Sequence, residues 1–174
     1  MIYLYKMNSS VPLNGSLALN ECSGLNIAND QSVNGIFGGG NPIASNEGEP
    51  EIIVLVKFKE KVSLTHIQIN GGMDKEKNPA KVKLYAGIGD LDFSDAEGLP
   101  ATETFDLSEN LGKQLSVRIP KFRNLSEISL YFQNEEADQI QINNIQFFGN
   151  KGTANVDFGE MKKNPVGWGP RSCK

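Results

Sequence analysis

Residues 51–86 read EIIVLVKFKEKVSLTHIQINGGMDKEKNPAKVKLYA, and their periodicity points to one fold class. In 52–58, Ile52, Val54, Val56 and Phe58 share a face. In 81–86, Val82, Leu84 and Ala86 point one way and Lys81, Lys83 and Tyr85 the other. A period of two rich in β-branched residues is the pattern of a strand. VSLTHIQIN, residues 62–70, is apolar and β-branched as well. Three adjacent strands with short polar connections are therefore expected to open an antiparallel sheet. Residues 62–70 also contain a phase shift. Val62 and Leu64 share a face, whereas Ile67 and Ile69 lie one residue out of step. Both pairs reach one core only if the strand bulges near Thr65–His66. Ile140 and Ile142 are out of phase with Ile145 and Phe147 in the same way, which predicts a second bulge or bend near Asn143–Asn144.

Outward from this stretch the chain supplies more strands. Residues 103–107 and 114–119 fit the pattern, as do 127–133, with Ile128, Leu130 and Phe132 on one face, and 140–148. Residues 87–103 are a loop with a helical turn near Ser94–Glu97, capped by Ser94. Residues 3–7 fit a short strand or a turn. Residues 8–50 are rich in Gly, Asn and Ser without sustained period, and are expected to wrap the body. Leu17, Leu19, Leu25, Ile27 and Phe37 would anchor them, and LALNE at 17–21 is the part expected to be ordered. About seven or eight strands and no helix of ordinary length predict an all-β protein, a β-sandwich jelly roll spanning 1–150. Residues 151–174, with PVGWGP, form a polar C-terminal tail expected to be the least ordered part.

The chain has 174 residues, a formal net charge of −4 and a pI near 5.1. That balance argues against a general nucleic-acid or anionic-membrane partner, since both need clustered Lys and Arg. No apolar run is long enough to cross a bilayer. MIYLYKMNSS at the start lacks the long apolar region of a secretory signal. A reducing compartment is the corresponding expectation, with Cys22 and Cys173 as free thiols. Asn-x-Ser triplets at Asn8, Asn14 and Asn124 are then chance matches.

Catalytic chemistry finds few candidates. His66 is the single histidine, so any Ser–His–Asp or Cys–His machinery would need it; a lone strand histidine is more simply structural. One histidine and two distant cysteines cannot make a structural zinc site. Asp90, Asp92 and Ser94 begin a calcium-loop spacing, but Asp95 stands at the sixth position and Ala101 at the twelfth, where Gly and Glu are needed. The glycines at 35 and 38–40 precede no Gly-Lys-Ser/Thr run. Glu135, Glu136 and Asp138 are close enough for paired-carboxylate chemistry, yet an acidic turn between strands is simpler as a solubilising feature. Neither an enzyme activity, a cofactor nor a metal is expected.

LNE at 19–21, VSLTHIQING at 62–71, VKLYAGIGDLDFSDAE at 82–97, ISLYFQN at 128–134 and INNIQFFG at 142–149 together resemble the PITH domain. Leu91 stands where that family usually has methionine. The resemblance runs from about residue 3 to residue 150 and is nearest to members without a thioredoxin domain. This chain has no CxxC, so thiol redox activity is not implied. The resemblance implies a β-sandwich jelly roll of the galactose-binding-domain type. It also implies a non-enzymatic adaptor associated with the proteasome regulatory particle, in the cytoplasm and the nucleus. Loops 71–79, 87–100 and 133–139 are the candidate surfaces. Asp90, Asp92, Glu135, Glu136 and Asp138 are their candidate contacts, joined in the tail by Lys162, Lys163 and Trp168. The alternative is a small-ligand or glycan-binding module, for which Phe37, Phe93 and Phe122 are the candidate aromatic platforms.

Overall fold

The structure, a computed structural model, describes residues 10–38 and 40–151. The expected strand or turn at 3–7 and the tail beyond 151 lie outside the described residues. In chain order the strands are β1 (Val11–Pro12), β2 (Ser23–Leu25), β3 (Ile43–Ala44), β4 (Glu51–Asn70) and β5 (Lys81–Ala86). A short helix, α1 (Phe93–Gly98), precedes β6 (Glu103–Asp106), β7 (Gln114–Ser116), β8 (Leu125–Gln133), β9 (Gln141–Ile142) and β10 (Asn144–Lys151).

β4 organises the fold and corrects the expectation of two separate strands at 52–58 and 62–70. These are one strand of 20 residues. The intervening Lys59–Glu60–Lys61 holds no Gly, Pro, Asn or Asp to reverse the chain, so the backbone continues as a single strand. Its first half pairs with β2 on one edge and β8 on the other; its second half pairs with β10 and β7. β4 thus belongs to both layers of the sandwich. The register against β8 shifts between Lys57 and Val62, which places the bend between the layers there. β5 is correspondingly not a neighbour of β4: β8 lies between them, in the order β1-β10-β4-β8-β5-β6, all antiparallel.

The expected bulge is present. Phe148 pairs with His66 and Gly149 with Leu64, so Thr65 has no opposite residue on β10. That extra residue restores phase, and Val62, Leu64, Ile67 and Ile69 are all fully buried. The second phase shift has a different cause. β9 pairs with β3 in a small separate sheet and β10 with β4, so the chain changes sheet at Asn143. The expected strand at 140–148 is therefore two strands. Ile140, Ile142, Ile145 and Phe147 all remain in the core.

The segment 10–50 wraps the sandwich through short 3-10 turns, including Leu19–Glu21. Leu17 and Phe37 are buried anchors as expected, and Leu25 and Ile27 are half-buried, but Leu19 is 42% exposed and joins neither core cluster. Asn14 serves as a side-chain strand. Its Nδ2 donates to the carbonyls of Phe37 (2.7 Å) and Ile145 (3.0 Å), and its Oδ1 accepts from Phe147 N (2.9 Å), satisfying the edge of β10. That amide is fully engaged, which makes the triplet at Asn14 structural.

A second apolar cluster lies on the outer face of the first layer. Ile53, Tyr85, Leu91, Ala96 and Tyr131 are buried there under α1 and its flanks. This is why Tyr85, on the polar-looking face of β5, is 1% exposed. Its hydroxyl donates to Ala96 O at 3.1 Å. The helix starts one position before the expected turn, and its cap is Asp92 rather than Ser94. Asp92 Oδ1 accepts from Asp95 N (2.8 Å), while Asp95 Oδ2 accepts from Asp92 N (3.4 Å), a reciprocal capping box.

Candidate partner-docking surface

Three connections meet at one end of the sandwich: the turn near 46–49, the β4–β5 loop 71–79 and the acidic turn 133–139. Gln133 pairs with Lys81, which sets the last two side by side. Asn134 ties them together. Its Nδ2 donates to Asn78 O (2.9 Å), its backbone N to Pro50 O (3.1 Å), and its Oδ1 accepts from Glu136 N (3.1 Å). Gly48 N donates to Asp138 O (2.8 Å), which joins the third connection. Glu135, Glu136 and Asp138 project from this braced base as exposed side chains.

The acidic turn separates two clefts. One, of about 700 Å³, is lined by Lys81, Asp106, Glu135 and Glu136 among others. Asp106 accepts from Ser108 Oγ (2.6 Å) and Ser108 N (2.9 Å); these bonds, with Lys81 nearby, hold its carboxyl below the usual carboxylate range and keep it charged. The other, of about 450 Å³, is lined by Glu47, Asp74, Glu76, Glu136 and Asp138, against Lys75 and Lys77. The excess of carboxylates gives this end a negative field.

Asp90 and Asp92 do not join it. Their loop leaves β5 at Ala86, whereas the acidic turn lies at the Lys81 end of that strand. Asp90 is exposed, and Asp92 is occupied as the helix cap. Among the described residues no group of three His, Cys, Asp or Glu could hold a metal. Asp92→Ala is accordingly expected to cost about 1 kcal/mol of stability, the usual value of an N-cap. Urea denaturation checks this, and an unchanged midpoint would show that the cap bond does not hold the helix. Lys162, Lys163 and Trp168 lie outside the described residues.

His66 faces the Thr65 hydroxyl rather than a carboxylate. Its Nδ1 lies 3.0 Å from Thr65 Oγ1, which in turn meets Ser10 Oγ at 2.5 Å and donates to Phe148 O at 3.3 Å. The set closes the bulge. The candidate aromatic platforms are also spoken for. Phe122 is fully buried, Phe37 is 5% exposed, and Phe93 packs edge-on against Tyr131 at 6.0 Å. Neither acidic cleft is lined by an aromatic ring, nor is a polar cleft of about 510 Å³ lined by Asn26, Asp30, Gln31, Ser32 and Asn46. The sequence drew attention to the acidic turn but not to Met73, a residue of the adjoining loop that is 98% exposed.

The PITH domain profile matches residues 5–165. The chain belongs to the PITH domain family. The match continues beyond β10, the last described strand, to residue 165. PITH domain-containing protein 1 of Dictyostelium discoideum is 29% identical over 86 residues, which cover 48% of this chain and 42% of that relative. The aligned part thus spans less than half of the curated relative's length. Solved structures show the sandwich in other settings. The family 32 CBM of Clostridium perfringens NanJ, in complex with galactose, superposes with a TM-score of 0.57 at 11% identity, over 80% of this chain and 99% of that chain. The CBM32-1 and CBM32-2 domains of Clostridium perfringens ZmpB, in complex with GalNAc, give a TM-score of 0.61 at 11% identity, over 86% of this chain and 38% of that one. At such identity the likeness is one of fold: the PITH domain is a galactose-binding-domain-like jelly roll.

Proposed function

We propose that this PITH domain is a non-enzymatic adaptor that docks on the proteasome regulatory particle, in the cytoplasm and nucleus, through its acid-rich end. Family membership across residues 5–165 is the observation that carries this reading. The geometry supports it: loops held by a rigid sandwich are where binding function concentrates, and here three are cross-braced and together carry an excess of carboxylates. The groups that catalysis would need are engaged elsewhere. His66 is bonded within the bulge, and burial pushes the Cys22 thiol up, which disfavours the thiolate.

The fold neighbours are complexes with galactose and GalNAc, but sugar recognition by the expected aromatics finds no support, because Phe37, Phe93 and Phe122 pack into the body. Calorimetric titration with galactose and with GalNAc, beside sedimentation with purified regulatory particle, tests the choice. The expected result is co-sedimentation and no saturable heat from either sugar at millimolar concentration. Saturable sugar binding without co-sedimentation would replace the adaptor with a glycan-binding module.

A further inference from the structure

We infer that Met73 is the apolar anchor of the docking surface and seats in a methionine-sized apolar pocket, rimmed by Lys and Arg, on the partner protein. The inference rests on the docking reading above and names the contact within it. Met73 is 98% exposed, whereas the other exposed large apolar side chains among the described residues, Val11, Leu19 and Leu99, are 42–45% exposed. Its neighbours are pinned on both sides. Gly72 N donates to Asn78 Oδ1 (2.9 Å), and a Cβ on Gly72 would stand 2.9 Å from Asn143 Oδ1, so the backbone sits hard against that amide. On the other side Asp74 Oδ1 accepts from Glu76 N (3.1 Å) and caps the 3-10 turn Lys75–Lys77. Asn78, at the base, is tied to the acidic turn by Asn134.

A long apolar side chain thus projects from an ordered loop whose conformation is set before any partner arrives. Preorganisation of this kind lowers the entropy lost on binding. The cleft beside it is lined by Glu47, Asp74, Glu76, Glu136 and Asp138 with Lys75 and Lys77. An apolar centre with a charged rim is the layout of an interface hot spot, and methionine adapts readily to a pocket. The excess of acid specifies a basic rim on the partner and repels an anionic membrane. The rim governs how fast the partners meet, and the anchor governs how long they stay.

The test is binding kinetics of the full-length protein on immobilised, purified proteasome regulatory particle. Four proteins are compared: wild type, Met73→Ser, Met73→Leu, and Leu19→Ser, which removes an exposed apolar side chain from a different turn. Met73→Ser is expected to weaken binding about tenfold or more, through faster dissociation, with the salt dependence of association retained. Met73→Leu should stay within about threefold of wild type, since it keeps the apolar volume, and Leu19→Ser should bind as wild type does. Wild-type binding by Met73→Ser overturns the anchor and leaves the docking reading standing. An equal loss in Leu19→Ser overturns the anchor too, because the effect would then belong to apolar surface in general. Absence of binding by wild type overturns the docking reading, and the anchor with it.

Discussion

Gly149→Ala is expected to cost about 3 kcal/mol or more, at the upper end of what overpacking does. Gly149 lies opposite Leu64, at the register shift that the Thr65 bulge creates. A Cβ there would overlap the carbonyl oxygen of Ser63 and stand 3.0 Å from Leu64 Cα. Both obstacles are backbone atoms of β4, so no side-chain rotation relieves them. The remaining escape is to part β10 from β4 at the bulge, and that disturbs the phase that buries Leu64 and Ile67 together. In a chain of this size the cost corresponds to a fall of about 6–12 °C in Tm. Urea denaturation of the folded variant measures it, and a loss below about 1 kcal/mol would show that the strands separate there without strain.

Leu130→Ala is expected to cost about 2–5 kcal/mol. Leu130 is fully buried on β8, opposite Val54 of β4 on one side and Leu84 of β5 on the other. All three face the core between the layers. Removing the isobutyl group leaves a cavity that two flanking strands, fixed by their own hydrogen bonds, close only in part. A cost below about 1 kcal/mol would place Leu130 outside the core and break the phase assigned to the central strands.

Alternation made the central strands legible in the sequence, because a half-buried strand must present apolar side chains every second residue. The same rule exposed the Thr65 bulge: two apolar pairs one residue out of step had no other way to share a core. It misled where two causes produce the same pattern. The phase break at Asn143 is a change of sheet, which local periodicity cannot distinguish from a bulge. The polar Lys59–Glu60–Lys61 looked like a connection, yet charged residues are tolerated where a strand bends in solvent. Helix α1 was visible only as a turn, because a capping box can be opened by Asp92 or by Ser94 and only the backbone decides. At the candidate site, composition marked the acidic turn. The bracing by Asn134 and Asn78 and the exposure of Met73 depend on loops brought together across the sheet. Asp90 and Asp92, grouped with the turn by charge, lie off the opposite end of β5.

The adaptor reading is tested most directly by co-purification of the full-length protein with intact proteasomes from its own source, at low and at high salt. A variant with Glu135, Glu136 and Asp138 replaced by Ser is run beside it. These side chains are exposed, so the variant is expected to keep its fold. Acidic loops meeting a basic patch predict that wild type co-purifies at low salt, that the association weakens as salt rises, and that the variant loses most of it. Failure of the folded wild-type protein to co-purify at low salt would contradict the account.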